Sequence, residues 1–377
     1  MNYFSDLSWD VMKTRFPFKK FSIKNYHKIL CPPFEYPDFL DKYKKLPILQ
    51  RLDGISLFCG TDWTKLYNNR IKYSRLDHSV GVALIIWHFT KDKAQTIAGL
   101  LHDISTPVFS HVSDFRKGDA LTQTITESQT SVFIRRNTEL QHLLQQDNLK
   151  NEDIENYHKY PIADNEIPNL SADRLEYMFP SGVAFDGSWT LEEIKSCYEN
   201  ICILKNEQNL QELGFLNIET AEKYCEKFCS IGHILQLNEN KLTLQMLGQI
   251  MNMAVKLKIL CEDDFFKISE KQVIKIIERW IKTNQTKIKE DAFSKKFASF
   301  YTTFVNMTEI LHTNEAQPEN LFFNVNLKVK QRYINPLVKI SENKICRLSE
   351  ISNFAAKLIF DFKEYSDTKF GSVKLLF

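Results

Sequence analysis

One run of eight residues constrains this chain more than any other: Ile-Ala-Gly-Leu-Leu-His-Asp-Ile at 97–104 sets an adjacent histidine and aspartate into a stretch that is otherwise apolar. Ile97, Leu100, Leu101 and Ile104 keep helical spacing and Pro107 closes the segment, so a helix over 93–104 with His102 and Asp103 in its last turn is predicted. A carboxylate in such surroundings is costly by several kcal/mol unless something positive compensates it. A bound cation is one such compensator.

The same signature recurs twice more. Ser74 followed by Asp77 has the form of a capping box, after which Val80, Leu84 and Trp87 keep helical spacing while Val82, Ile85 and Ile86 widen the apolar face. His78 therefore belongs to the first turn of a largely buried helix. Asp173 falls in a short helix predicted over 171–179 and ended by Pro180. Imidazole and carboxylate together suit a divalent transition ion (Mn, Fe, Co, Ni or Zn, with Mg a further candidate) that keeps open positions for water and a phosphate oxygen. Taken singly, His78, His102, Asp103 and Asp173 each read as a cap or a satisfied core polar group. It is the constellation that argues for a metal.

Composition narrows the setting. With 377 residues, 43% hydrophobic and 25% charged, the chain has the make-up of a soluble globular protein with a sizeable core, one large helical domain plus a smaller appended region. The formal net charge of +2 creates no global field that would recruit nucleic acid or an anionic membrane, so an anionic ligand must be caught by local charge. No apolar h-region or membrane-length apolar run is present, which makes the cytosol the expected address. Eight cysteines in a chain of this size read as reduced thiols. Cys225, Cys229 and His233, at i, i+4 and i+8, can be drawn as a partial zinc site, but without a fourth ligand nearby a core-facing stripe is the better reading.

The chain divides into an aromatic and proline-rich lead-in (1–45), a helical core (46–190) and a helical C-terminal region (191–377) packed on that core. Helices are predicted over 46–57, 128–146, 191–204, 218–235, 242–260, 270–283, 293–311 and 348–365, with a turn or hairpin over 60–69. The polar stretch 147–165 reads as a surface excursion. Alternation of apolar and polar residues over 321–333, ended by Asn335-Pro336, predicts a strand. The expected class is mainly α with a small β element.

Four words of the sequence carry a family resemblance: Tyr-Ser-Arg-Leu-Asp-His-Ser-Val-Gly-Val at 73–82, Ile-Ala-Gly-Leu-Leu-His-Asp-Ile at 97–104, Pro-Val-Phe-Ser-His at 107–111, and Ser-Ala-Asp-Arg-Leu-Glu-Tyr at 171–177. Over roughly residues 45–185 the chain resembles the HD-domain deoxynucleoside triphosphate triphosphohydrolases, which include bacterial dGTP triphosphohydrolases and the animal SAM-and-HD-domain enzymes. Further on, Arg332-Tyr-Ile-Asn-Pro-Leu-Val and Arg347-Leu-Ser-Glu look similar to words in family members. The resemblance implies an HD helical bundle with His78, His102, Asp103 and Asp173 as metal ligands. It implies Arg51, Arg75, His111, Arg174 and Tyr177 as substrate-binding groups, a deoxynucleoside triphosphate as substrate, and a homo-oligomer. Arg offers a planar fork for phosphate oxygens, Tyr a hydroxyl donor, and His111 a donor or a proton carrier. As a rival for Arg75 and Arg174, a surface ion pair stands about even.

The chain departs from that pattern where proton transfer is expected. The family's His-Asp-x-Gly-His is here His102-Asp-Ile-Ser-Thr106, and its His-Glu-x-x-Ser is Glu127-Ser-Gln-Thr-Ser131, so two histidines become Thr106 and Glu127 while Asp114, which orients the second of them in the family, is kept. Glu127 is either a general base raised by burial or a solvated first-turn residue. Leu57 stands where family members read the sugar with a polar side chain. The expected catalytic set is therefore His111, Asp114 and Glu127. The expected activity is a metal-dependent phosphohydrolase acting on a nucleotide, with a nucleotidase or phosphodiesterase, or a nucleotide sensor that has lost its chemistry, as the alternatives.

Overall fold

In the computed structural model, which describes residues 2–16, 20–123 and 128–377, the helix Arg75–Thr90 is buried from Leu76 to Ile86 except at Asp77, because its sequence is apolar almost all round. Such a helix needs neighbours on every side, and it packs against the helices Lys93–Leu101, Ala172–Phe185 and Ile23–Leu30. The capping box forms as the spacing predicts, with Asp77 N–H donating to Ser74 Oγ at 3.0 Å and Ser74 N–H to the Asp77 carboxylate at 3.0 Å. The next helix, Lys93–Leu101, starts on Asp92, which accepts from Gln95 N–H, and stops at Leu101. His102 is thus its C-terminal cap and Asp103 enters the turn that follows.

The helix that carries Asp173, Ala172–Phe185, runs straight through Pro180, where a stop over 171–179 is expected from sequence. Proline removes the N–H that would bond the carbonyl four residues back, that of Glu176. The Tyr26 hydroxyl donates to this carbonyl at 3.2 Å, and the helix continues.

Several predicted helices are shorter than their apolar patterns. The 46–57 segment is the helix Pro47–Gln50 and a tighter turn Arg51–Gly54, and the 60–69 turn holds only the short 3-10 turn Thr61–Trp63. The 128–146 segment is two helices, Thr130–Arg136 and Thr138–Gln146, since Asn137 leaves helical geometry and caps the second through its side chain. Helix Leu191–Tyr198 gives way to strand β1 (Ile201–Lys205), which pairs antiparallel with β2 (Gln211–Phe215) across a turn where Asn206 Oδ1 accepts from the Gln208 and Leu210 N–H groups. Past helices Ile218–Gln236, Asn238–Lys256, Glu270–Thr283 and Ala292–Asn306, the remaining strands are β3 (Leu311–Thr313), β4 (Phe322–Val325), β5 (Leu337–Ser341), β6 (Lys344–Arg347) and β7 (Phe370–Lys374). They form two sheets, β1-β2-β5-β6 with β2 and β5 parallel, and β3-β7-β4 antiparallel. The 348–365 segment is likewise split, into Leu348–Ile351 and Asn353–Glu364, by the Ser352 cap. Only the start of the predicted 321–333 strand pairs. Residues 326–336 join no strand ladder.

The fold is mainly α, with small sheets at the C-terminal side. Arg347 joins them to the rest: its guanidinium bonds the buried Glu212 at 2.7 Å, and Glu212 in turn accepts from Leu170 N–H at 3.2 Å, just ahead of the Asp173 helix. Cys225, Cys229 and His233 lie buried on one helix. Cys225 Sγ donates to Ile334 O and His233 Nε2 to Leu7 O, so the core-stripe reading holds. No helix among the described residues is long and apolar enough to cross a membrane.

Candidate active site

The three helices bring His78, His102, Asp103 and Asp173 together. His78 Nε2 lies 3.2 Å from His102 Nε2, 3.1 Å from Asp173 Oδ1 and 3.8 Å from Asp103 Oδ2, while His102 Nε2 lies 3.6 and 3.5 Å from the same two carboxylate oxygens. Donors bound to one ion at ~2.0–2.2 Å stand roughly 2.8–3.6 Å apart, and all but the longest of these separations fall in that range. The other ring nitrogens are held from outside: His78 Nδ1 by Glu176 Oε2 at 2.5 Å and His102 Nδ1 by Gly99 O at 2.7 Å. Both Nε2 lone pairs are thereby turned to the same point, as a metal requires. The donor set fits a divalent ion.

The charges are consistent with this. Burial opposes ionisation throughout. It pushes the Asp103 carboxyl up, yet Arg75 and the two imidazoles hold it well below the usual range, and Asp173 is likewise held down by His78. Burial lowers His78, but Glu176 and Asp173 outweigh it and raise the imidazole to about 10. Three carboxylates around two rings attract positive charge, and an ion that supplies it displaces the proton.

Glu176 was not among the residues singled out from sequence. Fully buried, it receives the Tyr73 hydroxyl on one oxygen and His78 on the other, and burial raises its carboxyl. It fits only because Gly81 faces it: a Cβ at Gly81 would lie 2.4 Å from Glu176 Oε1. The signal was present in a carboxylate three residues after Asp173, on a helix otherwise buried through Leu175, Met178 and Phe179.

A cavity of about 1030 Å³ opens beside the ligands, and Arg75, His111, Arg174 and Tyr177 line it, as does Leu57. Arg75 is pinned by Asp103 at 2.8 Å and Ser110 Oγ at 3.0 Å. Arg174 donates to Asn169 O at 2.8 Å and lies 3.3 Å from Asp164. His111 Nδ1 is 2.9 Å from the buried Asp114, and burial pulls the imidazole below its ordinary value. Arg51 is not among the lining residues. Its guanidinium donates to Thr106 O and Ile104 O, both at 2.8 Å, and clamps the turn that carries Asp103. Thr106 gives its hydroxyl to Asp103 Oδ1 at 2.7 Å. Glu127 lies outside the described residues.

Two parts of the wall were not foreseen. Arg332, between β4 and β5, sits 5.8 Å over the Tyr177 ring and bonds Gln123 at 2.5 Å. The supposed surface excursion 147–165 also turns inward at its end. Ile162 and Ala163 are buried, their carbonyls accept from Ala172 and Asp173 N–H, and Tyr157, His158, Asp164 and Asn165 face the cavity. Its polar composition reflects a lined cavity as well as a surface.

No family model matches the chain. It is 24% identical over 242 residues to the uncharacterized protein YdhJ of Bacillus subtilis, spanning 63% of this chain and 70% of that one. It is 26% identical over 153 residues to the metal-dependent phosphohydrolase cns2 of Cordyceps militaris, a match that spans 41% of this chain and 43% of the relative. A crystal structure of a phosphohydrolase from Bacteroides thetaiotaomicron has the same fold, with a TM-score of 0.56 at 14% identity over 89% of this chain and 95% of the other. So does a hypothetical protein from Aquifex aeolicus, with a TM-score of 0.59 at 17% identity over 90% and 92%.

Proposed function

We propose that this chain is an HD-type, metal-dependent phosphohydrolase acting on a nucleotide, with a deoxynucleoside triphosphate as first choice. The observation that carries the reading is the convergence of two imidazole Nε2 atoms and two aspartates, each ring held from behind by Glu176 or Gly99 O. The similarity to a metal-dependent phosphohydrolase supports it. The cavity, at the upper end of the about 300–1,000 Å³ usual for ligand pockets, has room for a base and sugar as well as phosphates.

A bound divalent ion supplies a Lewis acid for a phosphoryl oxygen and for the attacking water. The chain does the rest. With the Nδ1 proton of His111 held by Asp114, Nε2 is left to take the proton of the water. Arg75, Arg174 and Arg332 offset charge on the phosphate oxygens from fixed positions. Tyr177 Oη, buried without a hydrogen-bond partner among the described residues, is a donor awaiting an acceptor. With a deoxynucleoside triphosphate the α-phosphorus is attacked, giving nucleoside and inorganic triphosphate.

One observation favours a nucleotidase or phosphodiesterase as the second reading: the apolar Leu57 lines the wall where a sugar hydroxyl would be read. A nucleotide panel with added Mn²⁺, Mg²⁺, Co²⁺ or Ni²⁺, read by mass, separates the two. Release of triphosphate supports the first, release of orthophosphate or a nucleoside monophosphate the second, and binding without turnover refutes both.

A further inference from the structure

Hydrolysis of an alkyl phosphate ester needs two proton transfers, one from water and one to the departing alkoxide. His111 with Asp114 accounts for the first. Four histidines line the cavity among the described residues: His78 and His102 hold the ion, His111 serves the water, and His158 is left.

His158 sits on the 3-10 turn Tyr157–Lys159. The neighbouring Tyr157 ring touches both the His102 ring, with centroids 5.1 Å apart, and the His158 ring, at 4.2 Å. His158 Nδ1 lies 2.9 Å from Asp164 Oδ2. Asp164 is itself fixed, accepting from Ser171 Oγ at 3.2 Å and lying 3.3 Å from Arg174, both at the start of the helix that carries Asp173. A carboxylate on Nδ1 fixes ring orientation and tautomer and turns Nε2 away from Asp164. It is the arrangement of His111 and Asp114 repeated from a different element. The His158 side chain is 55% exposed, against 23% for His111, so it can reload its proton from solvent.

We infer that His158, held by the positioning residue Asp164, is the general acid that protonates the leaving-group oxygen; this rests on the hydrolase reading above. As the water oxygen bonds to phosphorus, its proton passes to His111 and the bond from phosphorus to the ester oxygen breaks. That oxygen takes the proton of His158; His111 then releases its proton to solvent and His158 regains one, so both imidazoles return to their starting states. No oxidant or further reactant is involved.

The test compares leaving groups. dTTP and thymidine 5′-monophosphate, hydrolysed to thymidine, release an alkoxide that must be protonated, whereas p-nitrophenyl phosphate releases a phenolate that departs without help. His158→Gln is expected to lower kcat on the thymidine esters by about 10²-fold or more with KM within a few-fold, and to lose at least tenfold less on p-nitrophenyl phosphate, with metal content as in the wild type. Asp164→Asn is expected to show the same selectivity, more weakly. An equal loss on both kinds of ester, no loss on either, or the selectivity appearing in Glu127→Gln and not in His158→Gln overturns the inference while leaving the hydrolase reading intact. A wild-type protein that turns over neither kind of ester refutes the hydrolase reading, and the inference with it.

Discussion

A single methyl group at Gly81 tests the architecture of the proposed metal centre. In Gly81→Ala the new Cβ would lie 2.4 Å from Glu176 Oε1 and 2.8 Å from its Cδ and Cγ, against an unstrained separation of about 3.5 Å, so the carboxylate must retreat by roughly 1 Å. Glu176 is fully buried between this helix and Tyr73, and its other oxygen is 2.5 Å from His78 Nδ1. A retreat of that size opens the contact to about 3.5 Å, too long for a hydrogen bond. Alanine gains about 1 kcal/mol of helix propensity, but overpacking costs about 1–3 kcal/mol and the buried carboxylate loses a partner, so a net destabilisation of roughly 1–3 kcal/mol is expected. The larger effect is on the ion: without its outer partner His78 is no longer oriented, and metal affinity should fall about 10–100-fold. Competition with a chelator measures this, with urea unfolding alongside. Gly182→Ala is the control, since its methyl meets Trp189 Cδ1 at 2.5 Å on the helix that carries Asp173 but touches none of the ligands. Wild-type affinity in Gly81→Ala, or an equal loss in Gly182→Ala, refutes the reasoning.

Three further expectations follow from the same geometry. His102→Ala and Asp103→Ala should each abolish metal retention by elemental analysis, and full occupancy in both would remove the site. Glu127→Gln should lower turnover by about 10²–10⁴-fold with metal content intact if Glu127 carries a proton, and unaltered turnover would make it a solvated residue. Burial pushes the Glu270 carboxyl up to about 7, although it accepts from Trp63 Nε1 and from the Ser56 and Phe109 N–H groups. The folded chain then holds this proton more tightly than the unfolded one, a stabilisation complete below about pH 4.5 and lost as pH rises through 7, amounting to roughly 2–4 kcal/mol. Unfolding by urea at pH 5 and pH 8 should show that loss in the wild type and not in Glu270→Gln; parallel curves would count against it.

The convergence of His78, His102, Asp103 and Asp173 was legible because these residues break a pattern: histidine and aspartate in apolar helices stand out one residue at a time. Glu176 was not, since its meaning lies in what it faces, Gly81 and His78, and that pairing exists only once the helices have docked. His158 was hidden for a related reason. The polarity of 147–165 is shared by solvated surface and by cavity lining, and only the packing of Tyr157 on His102 distinguishes them. The stop expected at Pro180 and the helix expected to continue through β1 both failed where a local rule met a partner from elsewhere: Tyr26 in the first case, β2 in the second. Arg51 misled in the opposite sense, its charge being spent on two backbone carbonyls.

The proline in the Asp173 helix also acts as an address. Along a regular helix every interior carbonyl is occupied, and a neighbouring segment can slide by a turn without losing a polar partner. Pro180 vacates the carbonyl of Glu176 alone, and the Tyr26 hydroxyl takes it. The N-terminal helix Ile23–Leu30 is thereby registered to one position, and that position is the backbone of the residue whose side chain orients His78. A segment remote in sequence and outside the His-Asp cluster thus helps set the rotational phase of the helix that supplies Asp173 to it.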